Sequence, residues 1–506
     1  MGVIRDRLNA VFALDPSANC VGTPDGVWYS YGVVRQAMER LDAALTEAGI
    51  GAEAAVAVLL RNRPANYAAV LALVSTGRCI VTVNPQLPPQ ALIEDVTDLS
   101  AAAVVADEED WEKDGFREAV AAKGMLAISI AGKARAISVG PIAGSAASLA
   151  AREARMPGTA LEMLTSGTTG KPKRIKLSYD SLSRSLASAS AYEERSGGEL
   201  KLKSAVGIQV MPLAHIGGFN GAIYQTYNAR SFVLMERFDV DQWHAMIVKH
   251  RPKFTNLPPS AFYMVLDRNF PKEDLSSLLA LRCGSAPLDH ERAVEFEQRY
   301  GVPILEAYGA TEFAGGVAGW TISDHRAFAA AKRKSVGRAV AGVELRVVDR
   351  SSFEPLATNE EGLLEVRSKQ LGNGNQWVRT SDLARVDEDG FLFLLGRADS
   401  AIIRGGFKVM PDKVEEALKS EGGVAEACVV GIPDARLGQV PVAVIVPATG
   451  AVIDLEFIRQ NLRARLKAYE VPTEIRIIDS LPRTPSMKVS QAQVRELFQP
   501  AKLAAD

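Results

Sequence analysis

Cysteine is scarce in this chain: Cys20, Cys79, Cys283 and Cys428 are the four among 506 residues, far apart, with no CxxC pair and no histidine cluster beside them. That spacing supports neither a zinc site nor a disulfide framework and points to a reducing compartment. An excess of one charge is missing as well. The 58 Lys+Arg face 60 Asp+Glu, a net charge of −2, too balanced for the broad positive field of a non-specific nucleic-acid binder. The longest apolar runs, such as Tyr67 to Val74, fall far short of a membrane span. The opening Met-Gly-Val-Ile-Arg-Asp has Asp6 where a myristoylation signal wants Ser or Thr, and no signal peptide follows. No internal repeat suggests a solenoid. The expectation is a soluble cytoplasmic protein whose partners are small molecules.

Apolar residues make up 47% of the chain and charged residues 23%, an ordinary globular balance, and the length allows roughly three units of about 150 residues. Val33, Met38, Leu41, Ala44 and Leu45 recur at helical spacing between Tyr29 and Ile50, with Gly49 as the stop. A strand over Ala54 to Leu60, a helix near Asn66 to Ser75 and a strand over Cys79 to Val83 form a parallel βαβ unit. The pattern recurs at Ala102 to Ala106 and Leu126 to Ile130. Ser138 to Pro157 turns to Ala, Gly and Ser, a surface loop or a weakly amphipathic helix. Asp239 to Arg251 reads as an amphipathic helix with His244 and His250 on its wet side.

After Leu395 the style changes to short elements. Helices are expected over Asp412 to Lys419 and Asp454 to Lys467, and strands over Ala427 to Gly431, Val440 to Val446 and Glu474 to Ile478. The fold class is therefore α/β: a large N-terminal body of helix-covered β-sheets over residues 1–397, then a small mobile α+β C-terminal domain over 398–506.

The densest polar motif is Thr165-Ser166-Gly167-Thr168-Thr169-Gly170-Lys171-Pro172-Lys173, behind the apolar Leu161, Met163 and Leu164. Small residues let backbone N–H groups approach phosphate oxygens, hydroxyls donate, and lysines neutralise charge, which together suit a polyphosphate. The glycine spacing is not that of a Walker loop, and Pro172 stands where that loop would begin its helix.

This loop resembles the phosphate-binding signature of the adenylate-forming superfamily, which includes acyl-CoA synthetases. Further stretches match in the family's order, from Trp28-Tyr29-Ser30-Tyr31 and Val83-Asn84-Pro85 to Pro485-Ser486-Met487-Lys488, so the resemblance spans nearly the whole chain. It implies roles for individual residues. In Tyr308-Gly309-Ala310-Thr311-Glu312, the Tyr ring stacks on adenine, the Thr hydroxyl meets the α-phosphate, and Glu312 binds Mg²⁺ together with Thr168. Gly284-Ser285-Ala286-Pro287 walls the adenine on its other side. Thr380-Ser381-Asp382 stands where relatives show Thr-Gly-Asp, with Asp382 and Arg397 on the ribose hydroxyls. Asp399 is the hinge.

The resemblance also assigns Lys488 as the catalytic lysine. A cation there neutralises charge on the transferring phosphoryl while a carboxylate attacks it. Met487 is a departure, because relatives nearly always carry glycine; if that glycine uses positive φ, a Met there strains the loop by roughly 1 kcal/mol. Arg404-Gly405-Gly406-Phe407 is similar to the loop lining the pantetheine channel of acyl-CoA synthetases.

His215, within Pro212-Leu213-Ala214-His215-Ile216-Gly217-Gly218-Phe219, resembles the residue bordering the carboxylate-binding pocket. Gly218, Phe219, Ala307, Gly309 and Phe313 are expected to make that pocket apolar. No Asp or Glu stands where an amino-acid-activating relative would hold an ammonium group. The expected reaction is ATP-dependent ligation: a hydrophobic carboxylic acid, aryl, alicyclic or medium-chain, becomes acyl-AMP and then acyl-CoA, with ATP, Mg²⁺ and CoA as cofactor set. Two alternatives remain: an adenylating enzyme that loads a carrier protein, and a non-catalytic nucleotide-binding relative. Neither a nucleic acid nor a membrane is an expected partner; a homodimer is compatible with the sequence.

Overall fold

The computed structural model describes residues 2–165, 173–194, 200–371, 376–404, 407–434, 436–484 and 488–498. The chain divides into two compact units. Among the described residues, the first holds those up to Val343 together with 367–371 and Gln376, and the second holds Glu344–Val366 and those from Trp377 onward.

The first unit is built on three sheets. The largest orders its seven strands Ala136–Pro141, Leu126–Lys133, Ala103–Asp107, Ala55–Leu59, Cys79–Val83, Thr159–Thr165 and Lys173–Ser178. Its five inner strands run parallel, and an antiparallel hairpin closes each edge. Every residue of Ala55–Leu59, Cys79–Val83 and Ala103–Asp107 is buried, as parallel strands covered on both faces must be. One cover is the helix Pro64–Thr76, buried from Pro64 through Ser75. Pro64 opens it where a missing N–H costs nothing, and Gly77 ends it at φ 79°. The two arginines before it are compensated: Arg61 pairs with Asp110 at 2.6 Å and Arg63 with Glu236 at 2.7 Å.

A second sheet joins distant parts of the chain. Lys203–Gln209, Arg230–Leu234, Asn19–Gly22 and Trp28–Ser30 lie in that order, with Val21 opposite Phe232 in parallel register. The third sheet orders Phe254–Leu257, Ala280–Gly284, Ile304–Ala310, Gly315–Gly319 and Arg338–Ala339, parallel for the first three and antiparallel thereafter.

The second unit carries a sheet of Val343–Val348, Gly362–Ser368, Val378–Val386 and Leu392–Arg397. Another sheet pairs Val424–Asp434 with Gly438–Pro447 and adds Ile402–Arg404, Phe407–Val409 and Glu474–Ile477. Helices Pro411–Lys419 and Leu455–Arg465 pack on it through Val414, Leu418, Ile458 and Leu462.

Three local readings change. The first long helix starts at Tyr31, not Tyr29, because the Ser30 hydroxyl accepts the Val33 N–H at 3.3 Å and Trp28–Ser30 joins a sheet. The Ala/Gly/Ser stretch from Ser138 contains the end of an edge strand, Ala136–Pro141, and a short helix, Leu149–Arg152, capped by Ser148. His244 and His250 are half-buried, not wet. His244 meets Asp274 at 2.8 Å and stacks on Phe270, and His250 sets its edge against Trp28. The four cysteines are buried and unpaired. Among the described residues no helix is long and apolar enough to cross a membrane.

Candidate active site

The strand Ile304–Ala310 divides its side chains between two environments. Glu306 is buried and Tyr308 half-buried on one face, while Ala307 and Gly309 are exposed on the other. A register shift falls between Tyr308 and Gly309 where this strand pairs with Gly315–Gly319. A Cβ on Gly309 would stand 2.3 Å from the Gly315 carbonyl oxygen, and one on Gly284 would stand 2.7 Å from that of Ala307. Both glycines therefore serve close strand-to-strand approach, a reason the motif alone did not disclose.

The strand runs into the turn Thr311–Phe313, and Ala314 follows at φ 57°. Asn220 Nδ2 donates to the Ala314 carbonyl at 2.7 Å and the Ser185 hydroxyl donates to it at 3.1 Å, so two helices fix the exit of the turn. Neither residue was singled out from the sequence, and no local signal marks a pairing across 94 positions. Phe313 is buried, with its ring 6.3 Å from that of Tyr308. Glu312 is exposed, and among the described residues no lysine or arginine is ion-paired with it. An exposed carboxylate oxygen is what a hard cation takes, so Glu312 fits Mg²⁺.

At the end of the neighbouring strand, Ser285 takes φ 75°, a conformation L-residues rarely adopt. Its hydroxyl is buried and has no hydrogen-bond partner among the described residues. An orphaned buried hydroxyl beside Gly284 and Ala307 fits a polar ligand at this wall. Ala286 is half-buried and Pro287 exposed.

His215 caps the helix Ile216–Tyr227, its Nδ1 accepting the Gly217 N–H at 3.2 Å. The loop before it is pinned by buried Asn62, which donates to the Met235 carbonyl at 2.9 Å and accepts the Leu213 N–H at 2.7 Å. A Cβ on Gly218 would lie 2.0 Å from the Pro212 carbonyl oxygen. Its smallness admits that backbone instead of leaving pocket space. Phe219 is wholly buried within the large hydrophobic cluster of the first unit. His215, Ala307, Gly309 and Phe313 thus lie in one unit, joined through Asn220.

The strands Thr159–Thr165 and Lys173–Ser178 pair up to Thr165 opposite Lys173. Arg174 steadies them by donating to the Thr82 carbonyl at 3.0 Å and pairing with Asp95 at 2.7 Å. The residues between, Ser166, Gly167, Thr168, Thr169, Gly170, Lys171 and Pro172, lie outside the described residues, as do Gly405 and Gly406.

In the second unit the Thr380 hydroxyl donates to the Leu364 carbonyl at 2.9 Å and accepts the Asp382 N–H at 3.0 Å. Asp382 lies opposite Arg397 in the ladder, with Nη1 and Oδ1 3.8 Å apart. The Arg397 guanidinium also donates to the Ser381 hydroxyl, which gives a task to the serine that stands in place of glycine. Asp399 falls in the turn Ala398–Ser400 directly after Arg397. Arg404 donates to the backbone carbonyls of Tyr469 at 3.0 Å and Val471 at 3.3 Å. Phe407, 58% exposed, stacks on Tyr469 with centroids 4.7 Å apart. Lys488 is half-buried; its carbonyl accepts the Thr484 N–H at 2.7 Å, and Arg483 bridges Val489. Pro485, Ser486 and Met487 lie outside the described residues.

Residues 9–374 match the family model described as AMP-binding enzyme, and residues 413–488 match that described as AMP-binding enzyme C-terminal domain. The chain is 30% identical to an indoleacetate–CoA ligase of Aromatoleum aromaticum, over 96% of both chains. It is 28% identical to a feruloyl-CoA synthase of an Amycolatopsis species, over 94% of both. Among solved structures, ATP-bound MatB of Rhodopseudomonas palustris superposes with a TM-score of 0.80 at 24% identity, over 98% of this chain and 99% of that one. The amide bond synthetase McbA of Marinactinospora thermotolerans does so with a TM-score of 0.78 at 25% identity, over 98% and 100%.

Proposed function

The chain belongs to the AMP-binding enzyme family, and from that premise we propose that it activates a hydrophobic, aryl-type carboxylic acid with ATP and passes the acyl group to the thiol of CoA. In the first step a carboxylate oxygen bonds to the α-phosphorus as pyrophosphate leaves. In the second a CoA sulfur bonds to the acyl carbon, AMP leaves, and the thiol gives up its proton. Glu312, an exposed carboxylate one turn beyond Tyr308 with no cation paired to it among the described residues, carries this reading. It is a place for Mg²⁺, held by Glu312 with Thr168, and the ion supplies charge neutralisation to the phosphates when bound.

Tyr308 stacks on the adenine, with Gly284, Ser285, Ala286 and Pro287 as the facing wall. Thr311 meets the α-phosphate. The hydroxyls, glycines and lysines from Thr165 to Lys173 cradle the β- and γ-phosphates. Asp382 and Arg397 take the ribose hydroxyls, and the hydrogen bond from Arg397 to Ser381 fixes the guanidinium beside Asp382. His215 borders the substrate carboxylate and Lys488 supplies the cation for adenylation. Arg404, Gly405, Gly406 and Phe407 line the pantetheine path, where the exposed Phe407 ring stacked on Tyr469 is a flat apolar surface. The functional domains are assigned as 1–397 and 398–506 with Asp399 as hinge, a boundary that falls inside the second compact unit and not at its start near Glu344. The buried free thiols support a reducing cytoplasm. Sedimentation would tell a homodimer from a monomer.

The aryl preference rests on the indoleacetate and ferulate named for two relatives. The test is a ligation screen over aryl, alicyclic and straight-chain acids. Acid-dependent pyrophosphate release followed by CoA-dependent AMP release supports the proposal. Release of AMP only with a phosphopantetheinylated carrier protein, or only with an amine, would replace the acceptor. Absence of acid-dependent pyrophosphate release across the panel would leave a nucleotide binder.

A further inference from the structure

Glu306 is the third residue of the strand that ends in Tyr308-Gly309-Ala310 and points to the same side as Tyr308. The residue is 7% exposed, and its carboxyl lines a cavity of about 30 Å³ together with His290, Glu297, Trp320, His325 and Arg333. That volume holds one water and little more. The ring nitrogen Nδ1 of His290 stands 3.8 Å from Glu306 Oε2, too far for a direct hydrogen bond and suited to a bridging water.

The other charges around the cavity are already matched. On the helix His290–Tyr300, Glu297 would be pushed up by burial, but hydrogen bonds from His325, the Ile304 N–H and Arg333 hold it below the usual carboxylate range. His325 meets it at 2.6 Å and Arg333 at 2.9 Å, from the helix Ile322–Lys332 and the residue after it. On the adjoining strand Cys283 pairs in register with Glu306, and its thiol is pushed well above its usual range by burial and by the Glu306 charge. From the other side the Trp320 backbone N–H donates to the Glu306 carbonyl at 3.0 Å. No lysine or arginine among the described residues is ion-paired with Glu306. Burial accordingly pushes its carboxyl up to about 8, so at neutral pH it carries its proton.

We propose that Glu306, in its neutral form, is a positioning residue for the nucleotide: it lets the Ile304–Ala310 strand lie flat against Ala280–Gly284, so that Tyr308 and the Thr311–Phe313 turn stay where ATP meets them. Burial leaves a carboxylate at this place poorly hydrated, so ionisation draws the side chain toward solvent and carries with it the strand that Tyr308 continues. This inference rests on the nucleotide-binding reading of Tyr308 and Glu312. It adds to that reading a proton whose loss weakens ATP binding.

The test is the equilibrium affinity for Mg·ATP, measured without any acid or acceptor, at about pH 7 and about pH 9. If only the neutral form is competent, one pH unit above the midpoint leaves about a tenth of the protein able to bind, and the wild-type affinity falls ~10-fold. Glu306→Gln, always neutral and able to hydrogen bond, should bind as the wild type does near pH 7 and stay flat to pH 9. A wild-type affinity that is flat over this range overturns the inference, as does a Gln variant with the wild-type slope. If Glu306→Gln does not fold, Glu306→Met supplies a neutral side chain of similar length and must also be flat. A wild type that binds no ATP near pH 7 overturns the nucleotide reading and this inference together. One that binds with a flat profile overturns this inference alone.

Discussion

Gly309→Ala tests whether the nucleotide strand depends on backbone contact at the register shift. The added Cβ would meet the Gly315 carbonyl oxygen at 2.3 Å and Gly316 Cα at 2.7 Å, each about 1 Å inside ordinary contact. Both obstructing atoms belong to the main chain of the adjoining strand, so no side chain can swing aside. The strands must part, and the pairs Gly309 to Gly316 and Ala310 to Gly315 open. Overpacking of this kind costs about 1 to 3 kcal/mol, and each ladder hydrogen bond lost adds about 1 kcal/mol. A total near 3 kcal/mol is expected, with Tyr308 displaced at the same time. Gly316→Ala is the matched control: its Cβ would find nothing nearer than the Tyr308 carbonyl oxygen at 3.9 Å, and its stability should stay within about 0.5 kcal/mol of wild type. Thermal unfolding and Mg·ATP affinity are measured for both. Equal unfolding midpoints and equal affinities in the two alanine variants would refute the reasoning, because the clash would then be relieved without parting the strands.

Three further outcomes are expected. Glu312→Gln keeps the shape of the exposed turn and removes its charge, so acid-dependent pyrophosphate release should fall by orders of magnitude while the unfolding midpoint is unchanged; normal release removes Glu312 from the mechanism. Asp382→Ala should raise the KM for ATP, since each charge-assisted hydrogen bond to the ribose is worth about 1.5 to 3 kcal/mol; an unchanged KM counts against the assignment. Lys488→Ala should lose acyl-AMP synthesis yet convert supplied acyl-AMP and CoA to thioester, whereas Asp399→Pro, by fixing φ and removing an N–H, should make acyl-AMP and stall at transfer. Equal damage to both half-reactions in Lys488→Ala would sink that division of labour.

Much of the framework could be read from the chain because its inner strands have no wet face. Cys79–Val83 is an apolar run interrupted only by Thr82 in the sequence and a strand with those bounds in the fold, and Ala55–Leu59 differs from its reading by one residue at each end. The helix after it begins at Pro64, two residues earlier than periodicity alone suggested, because proline suits a first turn. Harder to read were the features that depend on what lies across the fold. Gly309 and Gly218 were expected in the apolar acyl pocket, and the sequence does not show that their absent side chains admit the backbones of Gly315 and Pro212. Asn220 and Ser185 are unremarkable on their helices until Ala314 is brought to them. Ser381 read as a small departure from a motif, and only the ladder that sets Asp382 opposite Arg397 shows the guanidinium it receives. Glu306 is one polar letter in an otherwise apolar strand, and its cavity needs two helices that begin at residues 290 and 322.

The parallel register that sets Val21 opposite Phe232 has a consequence for synthesis on the ribosome. The strand Asn19–Gly22 emerges early, and its partner Arg230–Leu234 comes some two hundred residues later. At about 5 to 20 residues per second the first strand waits on the order of ten seconds or more for its mate. Throughout that interval one edge of the hairpin made with Trp28–Ser30 stays open to other nascent chains. The burial of Cys20, Val21 and Tyr29 is thus completed late, and a fragment ending before Leu234 would carry that edge permanently. Slower translation up to that point should lengthen the exposure and raise the demand for chaperones, while a fragment ending just past Leu234 is the shortest that can close this sheet.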